Sequence, residues 1–151
     1  MYAAQTGHLE VTKFLLARDD VDVNPKDKWN RSPFSYAAQN RHLEVTKLLL
    51  TRDDVNINSK DGRDRSLLLY AAQNGHLEVT KLLLARDDVD VNPKDKWNRS
   101  PLLYAVQRGH LEVMKLLLAR VPSSSGVRSV FGNYGRNAKK IWGPGTPMYE
   151  A

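Results

Sequence analysis

Residues 32–50 read Ser32-Pro33-Phe34-Ser35-Tyr36-Ala37-Ala38-Gln39-Asn40-Arg41-His42-Leu43-Glu44-Val45-Thr46-Lys47-Leu48-Leu49-Leu50. Ser32 followed by Pro33 is a helix start: the hydroxyl caps an unpaired N–H, and proline loses nothing at the first helical position. A second helix is predicted from Leu43 to Thr51, with Val45, Leu48 and Leu49 at i, i+3 and i+4 forming one apolar stripe. Glu44 in its first turn and Lys47 one turn later suit both the helix dipole and each other. Helices this short do not stand alone in water. Their apolar stripes need a neighbour.

Repetition supplies it. Tyr2, Tyr36, Tyr70 and Tyr104 recur every 34 residues, as do His8, His42, His76 and His110, and Leu9, Leu43, Leu77 and Leu111. Arg-Asp-Asp triplets start at Arg18, Arg52 and Arg86 with the same step, and the run from Arg18 to Pro33 returns unchanged from Arg86 to Pro101. The chain therefore divides into a partial unit over 1–17, full units over 18–51, 52–85 and 86–119, and a segment 121–151 outside the period. Each unit reads as an extended segment, a short helix, a turn and a second helix. Val55 and Ile57 alternate with Asn56 and Asn58, a period of two. Asp61-Gly62 then supplies turn chemistry, and the corresponding tips are Lys28-Trp29-Asn30 and Lys96-Trp97-Asn98, where Asn accepts a left-handed conformation. The first helix has only about nine residues, roughly 14 Å, before Gly75 or Gly109 ends it at positive φ. Second helices are predicted over Leu43–Thr51, Leu77–Ala85 and Leu111–Ala119. One stripe per helix buries nothing until the next unit covers it, so stability must come from stacking.

The full chain has 151 residues, a net charge of +6, a pI near 9.6 and 41% apolar residues, enough for a core. It has no cysteine, which removes disulfide scaffolds, thiolate zinc sites and cysteine nucleophiles. No apolar run reaches the length of a membrane span and no signal-peptide layout opens the chain. An intracellular protein, cytoplasmic or nuclear, is expected.

Ser32-Pro33-Phe34-Ser35-Tyr36-Ala37-Ala38 resembles the Thr-Pro-Leu-His-x-Ala-Ala motif of the ankyrin repeat. Gly75-His76-Leu77-Glu78-Val79 through Lys81-Leu82-Leu83-Leu84 resembles the opening of that family's second helix, and Val91-Asn92 its finger strand. The resemblance covers residues 1 to about 120 and recurs in phase. The tetratricopeptide repeat shares a period of about 34. It needs two longer helices of similar length, and Pro25 or Pro93 interrupts the segment that would form one. The resemblance implies an all-α solenoid of stacked helix pairs with projecting β-hairpin fingers. Departures are present. The period exceeds the family's usual ~33, with the added residue in the Arg-Asp-Asp segment. Ser35, Leu69 and Leu103 stand where the motif has His, and the Tyr that follows resembles a variant frequent in fungal arrays. Leu67 replaces the proline of the third unit. Arg41 replaces the turn glycine of the second, at a cost of ~1 kcal/mol if φ stays positive.

Nothing in the sequence points to catalysis: no nucleophile elbow, phosphate-cradling loop or His-Glu-x-x-His occurs. The histidines recur one per layer, about 8–10 Å apart, too far to share a metal ion. The Asp19-Asp20, Asp53-Asp54 and Asp87-Asp88 pairs read as solvated or locally paired turns. No cofactor and no metal is expected. The resemblance implies instead a non-catalytic scaffold or adaptor that binds a protein on the finger tips and the exposed face of the first helix. Carried over position by position, that surface comprises Lys28, Trp29, Arg31, Gln39 and Asn40; then Gly62, Arg63, Arg65, Gln73 and Asn74; then Lys96, Trp97, Arg99, Gln107 and Arg108. Its seven charges are all positive, which suits an acidic partner segment with Trp29 and Trp97 as anchors.

Residues 121–151 carry Arg128, Arg136, Lys139 and Lys140 against Glu150, among Phe131, Tyr134, Trp142 and Tyr149. Their glycine, proline and serine content reads as a flexible extension, and the basic-aromatic mixture suits an alternative contact with nucleic acid or another polyanion. At the other end the chain starts within a first helix. Phe14, Leu15 and Leu16 match interior positions of later units. The array is therefore expected to continue in a longer solenoid or to self-associate through its end.

Overall fold

The computed structural model describes residues 1–120, and the segment 121–151 with its predicted flexibility and polyanion contact lies outside the described residues. In chain order the helices are α1 (Tyr2–Thr6), α2 (Leu9–Leu16), α3 (Pro33–Gln39), α4 (Leu43–Leu49), α5 (Leu67–Asn74), α6 (Leu77–Leu84), α7 (Pro101–Arg108) and α8 (Leu111–Arg120). The odd-numbered helices stack on one another in one file and the even-numbered in a second, each pair closed by a tight turn. This is the all-α solenoid that the repeat predicts.

Caps set the helix starts. The Ser32, Ser66 and Ser100 hydroxyls accept the N–H groups of Ser35, Leu69 and Leu103 at 3.1, 3.3 and 3.1 Å. Ser35 returns the bond by accepting the Ser32 N–H, completing a capping box in the second unit. Alanines at Ala37, Ala38, Ala71, Ala72 and Ala105 have no exposed surface and let consecutive inner helices approach closely. Leu49, Leu83 and Leu117 fill the layer between the two files, within one core running from Ala4 to Leu117.

The fingers differ from the expected β-hairpin strands. Among the described residues there is no strand, only one isolated antiparallel bridge between Lys60 and Ser66. Val55 and Ile57 are buried and Asn56 and Asn58 exposed, as the alternation requires, but the backbone turns there. The reason is local competition: the Asp22, Asn56 and Asp90 side chains accept the N–H two residues on, at 2.8, 3.1 and 3.0 Å, which diverts the backbone from ladder pairing. Bonds between units replace the ladder. Asn24 donates to the Asp54 carbonyl and accepts the Asn56 N–H, at 2.7 and 2.8 Å, and Asn58 repeats both with Asp88 and Asp90. Two of the triplet arginines contribute too: Arg52 pairs with Asp54 at 2.8 Å while its Nη1 donates to the Leu16 carbonyl at the end of α2, and Arg86 Nη1 donates to the Leu50 carbonyl.

Between the helices of a unit the chain turns through a left-handed residue, Gly7, Arg41, Gly75 or Gly109, with φ of 76°, 61°, 68° and 72°. Two of the glycines also receive the next unit's histidine: a Cβ on Gly7 or Gly75 would lie 2.6 Å from Nδ1 of His42 or His110. Those rings bond the Gln5 and Gln73 carbonyls through Nε2 at 2.9 and 3.1 Å. Over Arg41 the pattern breaks, and His76 bonds the Ala38 carbonyl through Nδ1 at 2.9 Å. Burial, opposed by that carbonyl and reinforced by the charges of Arg41 and His110, holds His76 below the ordinary histidine range. Arg41→Gly should stabilise the protein by about 1 kcal/mol. The check is a higher urea midpoint at unchanged slope. An unchanged or lower midpoint would mean that the arginine's own contacts outweigh its backbone strain.

Candidate partner-binding surface

Each finger is built around a buried or half-buried aspartate. Asp61 Oδ1 accepts the backbone N–H groups of Arg63 and Arg65 at 2.8 and 2.9 Å. Its Oδ2 accepts Nε and Nη2 of Arg65 at 3.1 and 2.9 Å and the Tyr70 hydroxyl at 2.6 Å. Burial alone would raise this carboxyl; the Tyr70 hydroxyl, the two amides and the guanidinium outweigh it and hold Asp61 below the usual carboxylate range. Asp27 accepts the Trp29 and Arg31 N–H groups, Arg31 Nε and the Tyr36 hydroxyl. Asp95 accepts the Trp97 and Arg99 N–H groups, Arg99 Nε and the Tyr104 hydroxyl, and neither has, among the described residues, a counterpart of the Arg65 Nη2 bond. Backbone bonds Asp27 N–H to Arg31 O, Asp61 N–H to Arg65 O and Asp95 N–H to Arg99 O close the three turns. Asn30, Asp64 and Asn98 take the left-handed position, with φ of 61°, 59° and 59°.

The arginines that form these pairs also stack. Arg31 lies 4.4 Å from the ring centroids of both Trp29 and Tyr36, and Arg99 4.5 and 4.8 Å from those of Trp97 and Tyr104. In the middle finger Arg65 meets Tyr70 at 4.6 Å and Arg63 stands in the tryptophan position. Trp29 and Trp97 remain 54% and 55% exposed.

This arrangement changes the electrostatics read from the sequence. Of the seven cations expected on the surface, Arg31, Arg65 and Arg99 are each paired with the aspartate of their own finger, at 3.1, 2.9 and 2.9 Å. Lys28, Arg63 and Lys96 on the tips, and Arg108 at the end of α7, are exposed and have no carboxylate partner among the described residues. Lys28 instead stands 4.2 Å over the Trp29 ring. A groove of about 660 Å³ joins the first two fingers, lined by Lys28, Trp29, Asn30, Arg31, Asp61, Gly62, Arg63 and Arg65.

The first helix contributes less than expected. Pro33 through Ala38 and Leu67 through Ala72 are buried throughout, so those inner helices reach the surface only near their C-terminal ends. There Asn40 and Asn74 donate to the Gln5 and Gln39 carbonyls of the preceding unit at 3.0 and 3.4 Å. Gln39, Asn40, Gln73, Asn74, Gln107 and Arg108 thus lie at the far end from the fingers and do not line the groove. The hub role of Asp27, Asp61 and Asp95 is absent from the sequence-based expectations, in which Asp61 figures only as a turn residue. Their signal was present in Asp and Arg four residues apart with Tyr five further on, repeated every 34.

The other charge clusters are local. Arg18, Arg52 and Arg86 pair with Asp20, Asp54 and Asp88 at 2.7, 2.8 and 2.9 Å. Among the described residues no group of three or more His, Asp or Glu side chains could hold a metal ion, and no helix is long and apolar enough to cross a membrane.

Stacked helix pairs linked unit to unit by side-chain ladders, with projecting turns that display aromatic and basic residues, define a helical repeat solenoid. The chain belongs to the ankyrin-repeat family: the family model for ankyrin repeats in three copies matches residues 1–61 and 53–125. Ankyrin repeats are in general protein–protein interaction modules and typically non-catalytic. No curated protein shows a significant match to the chain.

Proposed function

We propose that this chain is a non-catalytic adaptor that holds an acidic segment of a partner protein along its finger row. The supporting observation is the charge that remains after internal pairing: Lys28, Arg63 and Lys96, one on each tip, lack carboxylate partners among the described residues while the stacked arginines are neutralised from within. Trp29 and Trp97 act as apolar anchors beside them, each held on one side by its arginine, so little rotamer freedom is lost on binding. Asp64 is the exposed anion in the row and sets a limit on its net charge.

The test is selection from a displayed library of random peptides about twelve residues long, enough to span three fingers when extended. The full chain is the bait, at low and at high salt. Acidic, salt-sensitive peptides should be enriched, and Lys28→Glu with Lys96→Glu should abolish that enrichment. Trp29→Ala with Trp97→Ala should weaken the selected peptides by roughly 2 kcal/mol or more. Enrichment without acidic bias, or binding untouched by the tryptophan changes, would refute the proposal.

A further inference from the structure

The three finger tips share a backbone but not a sequence. Lys28-Trp29-Asn30 and Lys96-Trp97-Asn98 flank Gly62-Arg63-Asp64. The Gly62 N–H donates to the Trp29 carbonyl at 2.8 Å, and the Lys96 N–H to the Arg63 carbonyl at 3.1 Å. Trp29, Arg63 and Trp97 therefore occupy equivalent places on successive tips, a free guanidinium between two exposed indoles. Gly62 opens the row: it has no side chain where its neighbours carry lysine, and a Cβ there would lie 3.2 Å from the Trp29 carbonyl oxygen.

We infer that this row reads the spacing of an acidic peptide in the polyproline II conformation, three residues to a finger. The deduction rests on the finger-row reading above and adds a register to it. Inner helices of consecutive units pack directly, which sets the units about 8–10 Å apart. A peptide in the polyproline II conformation rises about 3.1 Å per residue and returns every third side chain to the same face, so three residues cover one unit and i, i+3 and i+6 all meet the row. The ligand therefore carries an apolar side chain against one indole, a carboxylate three residues on against Arg63, and a second apolar side chain three residues beyond. The pattern reads the same in both chain directions. A nucleic acid fits the row poorly. Single strands stack successive bases on aromatic side chains, whereas the two indoles are separated by a whole finger, and Asp64 stands beside the central cation. The chain's own segment 121–151 carries the same sign as the row.

The experiment uses the full chain and fluorescein-labelled synthetic peptides of one fixed composition, read by anisotropy. Peptides with two leucines six positions apart and a glutamate midway should bind roughly tenfold more tightly than permutations with the leucines four apart or the glutamate displaced. Arg63 is exposed and unpaired, so Arg63→Glu should keep its fold by circular dichroism and invert the preference, favouring lysine midway over glutamate. Affinity that follows net charge whatever the spacing would overturn the register and leave the acidic-segment reading standing. Failure of every acidic peptide to bind, or tighter binding of oligouridine than of any peptide, would overturn both.

Discussion

Asp61→Ala should lower stability by about 3 kcal/mol, the largest effect of any single polar change in the described array. The carboxylate is 4% exposed and accepts five bonds. Removing it leaves the buried Tyr70 hydroxyl, two backbone N–H groups and the Arg65 guanidinium without their acceptor. The figure stays at the low end for a broken buried pair because the Arg65 side chain keeps 19% of its surface in water. Asp61→Asn, which retains an acceptor for the two amides and loses the charge, should cost clearly less. A urea titration of the three proteins would settle the order, and equal losses for Ala and Asn would show that the charge carries the whole effect and the neutral acceptor none of it.

The same hub predicts acid sensitivity. Asp27, Asp61 and Asp95 all have their carboxyls held below the ordinary range in the fold. As pH falls below about 4, the unfolded chain takes up protons before the folded one does. Stability from the hubs is thus complete above that range and is lost as pH drops towards the folded values. Asp61→Asn should flatten part of this slope. At the alkaline end the sign reverses: burial and the Asp61 bond push the Tyr70 hydroxyl up, so unfolding is favoured above pH ~10, where a free tyrosine ionises.

The second large effect tests the stacking itself. Leu15, Leu49, Leu83 and Leu117 occupy the same place in four successive units, with relative exposures of 36%, 2%, 0% and 0%. Leu83→Ala should cost about 2–5 kcal/mol. Leu15→Ala should cost under about 1 kcal/mol, because its side chain is already partly in water. Local sequence is nearly identical around both positions, so the difference isolates coverage by the neighbouring unit. Similar losses at Leu15 and Leu83 would contradict a fold stabilised unit against unit. The exposed Phe14 and Val11 beside Leu15 belong to the same uncovered side.

How far reading the chain could go is clearest from its misses. Ser32 and Ser100 as caps, Gly75 and Gly109 as left-handed stops, and Leu43, Leu77 and Leu111 as second-helix starts were all legible, because each depends on partners within about one helical turn. The β-hairpin fingers that the family resemblance implied are reduced, among the described residues, to one isolated bridge. Burial alternates over residues 55–58 with the period read from the sequence, and the side chains of Asp22, Asn56 and Asp90 redirect the backbone. The candidate surface was half legible. Trp29 and Trp97 stand exposed on the tips, but the inner helices α3 and α5, read as offering a face, are buried along most of their length.

By itself the order of residues determined the period, the two helices of each unit, the turn positions and the need for neighbours, since these follow from propensity, capping and apolar spacing along a short stretch of chain. Only the tertiary structure decided which charges are left for a partner. Arg31, Arg65 and Arg99 look the same on paper as Arg63, and what separates them is a folded turn that brings an aspartate and a tyrosine onto each guanidinium. Counting residues gives formal charge; the field a partner meets depends on which of those charges already have a counter-ion within a few ångströms.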